Sequence, residues 1–208
     1  VSARVVHSQA VPARRGALLC VALLAAAGCA AHSPPPAANT AGLPRVTVAM
    51  LPLENLSGRP ENGDRISRMV WTTLGENGRY QVLDPGQVDA VLVELRVRSA
   101  AAMTREQVGE ISKRLGAPWI LAGTVLECGA VRTPDGDVPS FSLALRLLDG
   151  GSGRVVWTGM RAHSGEDHET VFGWGRETDL DRLAQFTARE LVAAIQVPAA
   201  SDSARGME

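Results

Sequence analysis

Trp119-Ile-Leu-Ala-Gly-Thr-Val-Leu126, Ser140-Phe-Ser-Leu-Ala-Leu-Arg-Leu-Leu148 and Arg154-Val-Val-Trp-Thr-Gly-Met160 are three apolar runs in close succession. Pro134-Asp-Gly-Asp137 separates the first two and Asp149-Gly-Gly-Ser-Gly153 the second two. Both connections carry turn chemistry, because Gly accepts positive φ and Asp satisfies nearby backbone groups. In the middle run Phe141, Leu143, Leu145 and Leu147 alternate with Ser142, Ala144 and Arg146. A period of two with one apolar side predicts a strand lying on a core, so the region reads as a three-stranded meander. Cys128 falls on the Ala122, Thr124 and Leu126 side of the first strand by the same count, and reads as a buried, inert thiol.

Upstream, Arg45 to Leu51 alternates and predicts a first strand, which Pro52 ends or confines to an edge. Glu54 to Gly63 is dense in breakers and reads as a loop. From Asp64 the residues Ile66, Met69, Val70, Thr73 and Leu74 recur at helical spacing, with Gly78 closing the helix. Trp71 falls off that stripe. Tyr80 to Leu83 is a short strand, and Asp84-Pro85-Gly-Gln87 has the form of a helix start. Val91 to Arg98 also alternates, which leaves a strand open there. Thr104-Arg-Glu-Gln107 is a capping box opening a helix with Val108, Ile111 and Leu115 inward and Gly116 past its end. After the meander, Thr178-Asp-Leu-Asp181 caps a last helix with Leu180, Leu183, Ala184, Thr187, Leu191 and Ile195 as its stripe. The order β-α-β-α-α-β-β-β-α predicts a single α/β domain over residues 44–197, with a mixed sheet and helices packed on it.

The amino-terminal region has a different character. Before Cys29 stand three arginines (Arg4, Arg14, Arg15) and no acid, followed by an apolar run from Ala17 to Ala27. That is the layout of a secretory signal peptide over 1–28, and the run is shorter than the ~20 residues of a spanning helix. Leu24-Ala-Ala-Ala-Gly28-Cys29 resembles the bacterial lipobox, which implies cleavage before Cys29 and lipid attachment to its thiol. Two acyl chains suffice for stable anchoring. Ala30 rather than Asp follows the cysteine, which by the same resemblance implies the outer membrane, on its periplasmic face. Residues 30–43, with Ser33-Pro-Pro-Pro36, read as a linker, and 198–208 as a disordered tail.

Composition narrows the partners. All 22 acids but only 18 of the 21 bases follow Cys29, so that part carries a formal charge of 18 − 22, or −4. Nucleic acid is excluded as a partner by the lack of a basic patch. Cys128 is the one cysteine after Cys29, so no disulfide can form within the body of the chain. The sequence holds no G-x-S-x-G, H-E-x-x-H or phosphate-binding loop, and the reading is of a protein without enzymatic activity, cofactor or metal.

Val46-x-Val48-x-Met50-Leu-Pro-Leu-Glu-Asn-Leu-Ser-Gly58, Leu115-Gly-Ala-Pro-Trp-Ile-Leu-Ala-Gly-Thr-Val125 and Leu145-Arg-Leu-Leu-Asp149 with Gly153-Arg-Val-Val-Trp157 together resemble a bacterial envelope superfamily. It includes curli-secretion-channel-like lipoproteins, the amino-terminal domain of TolB and lipoproteins that activate penicillin-binding proteins. The resemblance implies a protein-interaction module in envelope assembly or secretion, with an envelope protein as partner and self-association compatible with it. A channel subunit and a peptidoglycan-synthase activator are the alternatives it offers. The connections at Pro134–Pro139 and Asp149–Gly153 are too short for membrane-spanning hairpins, and the linker is short for reaching a cell-wall synthase.

Two segments stand out as candidate contact sites. Asn55, Ser57 and Gly58 follow the first strand, where Asn, Ser and Gly can either bind a small anion or satisfy their own turn. Phe172 and Trp174 interleave with glycine in a polar connection, which suits either a lid on the core or a partner contact. His163-Ser-Gly-Glu-Asp-His-Glu169 collects metal-ligand types, but its spacing fits no metal motif and it reads as a solvated loop.

Overall fold

A computed structural model describes residues 45–134, 136–167 and 175–198. The strands are β1 (Val46–Met50), β2 (Glu54–Asn55), β3 (Tyr80–Val82), β4 (Trp119–Thr133), β5 (Gly136–Asp149) and β6 (Val155–Ser164). The helices are α1 (Glu61–Glu76), α2 (Pro85–Glu94), α3 (Arg105–Leu115) and α4 (Leu180–Ala194). They form one α/β domain around a mixed sheet in the order β3-β1-β4-β5-β6, with β2 beside β4. β1 is parallel to β3 and β4, and β4, β5 and β6 form the antiparallel meander.

Each face of the sheet carries a helix pair. On one, Ile66, Val70 and Leu74 of α1 and Leu183, Ala188 and Leu191 of α4 pack on Phe141, Leu143, Leu145 and Leu147 of β5. On the other, Val88 of α2 with Val108 and Ile111 of α3 pack on Ala49, Leu51, Ile120 and Ala122. The chain signals that start and stop these helices act as the local chemistry dictates. Asp84 accepts from the backbone of Gly86 at 2.9 Å and of Gln87 at 3.3 Å, and Thr104 and Gln107 close a reciprocal capping box. Gly116 ends α3 at φ +62°.

Five details sharpen or correct the expectation. Of the two readings open at 91–98 the helix holds and the strand does not: α2 runs to Glu94, and Arg96 ends the turn at φ +55°. α1 begins at Glu61 rather than Asp64, and Gly63 in its first turn lies against Asn55, where an added Cβ would lie 3.2 Å from that residue's Cβ. α4 is capped by Asp179 rather than Thr178, its carboxylate accepting from Asp181 N–H at 2.9 Å and Arg182 N–H at 3.3 Å. The hairpin joining β4 and β5 is longer than the apolar runs, because backbone pairing continues from Glu127↔Ser142 out to Thr133↔Gly136.

The fifth concerns Cys128. A register irregularity between Val125 and Glu127 inserts one residue, so the alternation changes phase. Cys128 therefore leaves the Ala122 side and joins Val125 and Phe141 in the larger core. Its burial is as expected, but its face is the opposite one.

Pro52 interrupts a strand rather than ending it. Leu51 N–H donates to Leu121 C=O at 2.8 Å, and β2 then resumes against Thr124 and Val125 of the same neighbour. This is tolerable because β3 has already stopped at Val82, so Pro52 lies on an open edge with no ladder bond to supply. Among the described residues no helix is long and apolar enough to cross a membrane.

Candidate functional site

The loop after β2 is held from several sides. Asn55 Oδ1 accepts from Ser57 N–H at 3.1 Å and from Ser57 Oγ at 2.7 Å, while its Nδ2 donates to Arg59 C=O at 2.7 Å. Asn62 in the first turn of α1 donates to Ser57 Oγ at 3.1 Å and to Cys128 C=O at 2.9 Å. Arg65 adds hydrogen bonds to Asn62 Oδ1 and Cys128 Sγ and an ion pair with Asp181 at the start of α4. Gly58 turns the chain at φ +75°, a conformation open to glycine at little strain.

The polar atoms of Asn55 and Ser57 are therefore engaged within the fold, and an anion could reach them only by displacing these bonds. What the loop offers to solvent is Leu56, 61% exposed beside a fixed backbone. Beneath it, burial pushes the Cys128 thiol above its ordinary range, only partly offset by the Arg65 guanidinium. Its neutral form fills the core as a small apolar group.

A second polar cluster joins β6 to α4. His163 Nδ1 lies 3.1 Å from Asp167 Oδ2 and Nε2 2.7 Å from Glu190 Oε2. The Phe186 ring meets the imidazole edge-on at 5.1 Å between centroids. Ionised carboxylates only accept, so both contacts are hydrogen bonds when the imidazole is doubly protonated. They occupy opposite ring nitrogens, an arrangement that cross-links two elements and does not converge on one ion. Among the described residues no cluster of three metal-ligating side chains is found.

Cys29, Phe172, Trp174 and His168 lie outside the described residues. Trp71, which the helical pattern left off its stripe, is half-buried with its indole N–H donating to Leu83 C=O at 2.9 Å. Its departure from the stripe was the available signal that it serves a second surface.

The fold is an α/β sandwich in which two helix pairs flank a mixed sheet. No protein-family model matches the chain, and no curated protein sequence does. Solved structures do. The PelC dodecamer from Paraburkholderia phytofirmans is similar at 21% identity and TM-score 0.52, over 74% of this chain and 90% of that one. Lipoprotein GNA1162 from Neisseria meningitidis is similar at 18% identity and TM-score 0.51, over 72% of this chain and 99% of that one. The hypothetical protein CT253 from Chlamydia trachomatis is similar at 15% identity and TM-score 0.51, over 72% and 95%. The single α/β domain with a mixed sheet expected from the order of elements is the fold observed.

Proposed function

We propose that the chain is a non-enzymatic lipoprotein, anchored through acylated Cys29 to the periplasmic face of the outer membrane, that serves as an accessory module for another envelope protein. The observation that carries this is the shared fold with GNA1162, a lipoprotein, and PelC, each covered almost end to end by this chain. The Leu24–Cys29 leader supports the anchor, and residues 30–43 supply the tether. The loop 54–60 suits a contact role, because its polar atoms hold its shape while Leu56 faces outward. Phe172 and Trp174 are further contact residues in this reading.

Metabolic palmitate labelling tests the anchor: wild type should incorporate label and Cys29→Ala should not. Crosslinking in intact cells tests the module, with Leu56→Asp expected to reduce the crosslinked species at unchanged stability. Equal labelling, or no crosslinked partner, would remove the corresponding half of the reading. A second reading, self-assembly into a ring, draws on the dodecameric state of PelC and is decided by the mass of the purified chain in light scattering.

A further inference from the structure

Beyond the end of β3 the sheet has an open edge, and the chain walls it on both sides. Val46 N–H donates to Arg79 C=O at 3.0 Å and Leu83 N–H to Val48 C=O at 3.1 Å, so alternate residues of β1 face β3. The next in that series is Met50, which is 5% exposed and has no β3 partner, since the ladder ends at Val48↔Val82. Its neighbour Leu51 turns the other way, to Leu121. Among the described residues no strand lies beside the stretch from Met50 to Asn55 on that side.

α1 rises along one wall and α2 along the other. A cavity of about 350 Å³ lies over Met50 and Pro52, lined by Asp64, Arg68 and Trp71 of α1 and by Asp89 of α2. A second, of about 500 Å³, continues over Pro52, Leu53 and Glu54 along Asp89, Leu92 and Val93. Pro52 and Asp89 are common to both, so the two make one groove following the edge. It sits at the carboxyl ends of β1 and β3, whose following helices lie on opposite faces of the sheet. Crevices of that kind are where open α/β sheets take ligands.

We infer that this groove binds an extended peptide segment of a partner, with apolar residues alternating with basic ones. The inference deepens the accessory-module reading and rests on it, since it names where another polypeptide would be gripped. Main-chain groups of the segment pair with Met50, as in strand addition to a sheet edge. Pro52 has no N–H, so the ladder is short and side chains carry much of the recognition. The indole of Trp71, fixed by its bond to Leu83, and the rings of Pro52 and Pro85 supply a rigid apolar floor. Asp64, Asp89 and Glu54 outnumber Arg68 and Arg98 along the rim, which selects for lysine or arginine.

The test uses the ¹⁵N-labelled full chain and two blocked peptides, Ac-Val-Lys-Val-Lys-Val-NH₂ and its Glu counterpart. The Lys peptide should shift the Met50 amide and the Trp71 indole N–H saturably, and bind at least about threefold tighter than the Glu peptide. Asp89→Lys, on an exposed position of α2, should erase that preference while leaving the unliganded spectrum otherwise unchanged. Shifts confined to other regions, no shifts, or equal response to both peptides would overturn the proposal. So would concentration-dependent shifts at Met50 without peptide, which would assign the edge to a second copy of the chain. Crosslinked partners in cells together with a silent groove would remove this inference and leave the accessory role standing.

Discussion

The sheet is covered unequally on its two faces. α1 and α4 bury the whole inward side of β5, from Phe141 to Leu147, together with Val48, Leu121 and Val125. α2 and α3 reach only β1, the first half of β4 and Leu148, leaving Ala144, Arg146, Thr158 and Met160 along a shallow depression. The exposed Met160, 56% accessible, lies opposite Ala144 on this bare part. The difference follows from connectivity. α4 comes last and lies across a finished meander, whereas α2 and α3 must fit between β3 and β4 and cannot extend past the strands they connect. One face therefore holds the fold, and the other leaves part of the meander bare.

The largest effect that would break this contrast is at Phe141. It is fully buried, so Phe141→Ala should cost about 3–5 kcal/mol and lower the melting temperature by roughly 10 °C or more, read by calorimetry. An effect below that would show that α4 does not dominate the core. Ile111→Ala on the thinner face should cost about 2–4 kcal/mol. Hydrogen exchange should then show α2 and α3 opening separately before β4 and β5; uniform loss of protection would merge the two faces into one cooperative unit.

Thr104→Ala removes a capping-box hydroxyl on the thinner side and should cost about 1 kcal/mol in denaturant unfolding, with the m-value unchanged. Cys128 probes the thicker side chemically. Its folded thiol is held protonated by burial, so at a pH near the ordinary thiol range the unfolded chain carries more thiolate. Alkylation by iodoacetamide should be slow in buffer and rise sharply in denaturant. Because the folded state retains the proton longer, stability should fall slightly as pH climbs through the ordinary thiol range. The smallest effect is a gain. Arg96 occupies a left-handed conformation at the end of α2, and Arg96→Gly should add roughly 0.5–1 kcal/mol.

Period and punctuation made most of the elements legible. The Phe141–Leu147 alternation, the Thr104 box and the Asp84-Pro85 start each act within a few residues, and local chemistry suffices to read them. The bulge before Glu127 was not legible, because no glycine or proline marks it and its consequence, the change of face at Cys128, appears only against β5. The far half of the hairpin was hidden for a related reason. Backbone pairing holds Glu127–Thr133 in place where side-chain alternation is weak. Of the contact candidates, Asn55 and Ser57 were readable as loop residues, but their bonds to Arg59 and Asn62 depend on how α1 enters.

What the chain determined by itself was the set of elements, their caps, the apolar stripes and the acidic balance after Cys29, since each depends on neighbours within a turn or two. What only the tertiary structure decided was which edges stay open. β3 stops at Val82 while β1 and β2 continue along β4, and that mismatch in strand length leaves Met50 without a ladder partner on that side and places Trp71, Pro52 and Asp89 around one groove. These residues are far apart in sequence, and their meeting is set by sheet register, which no local pattern encodes.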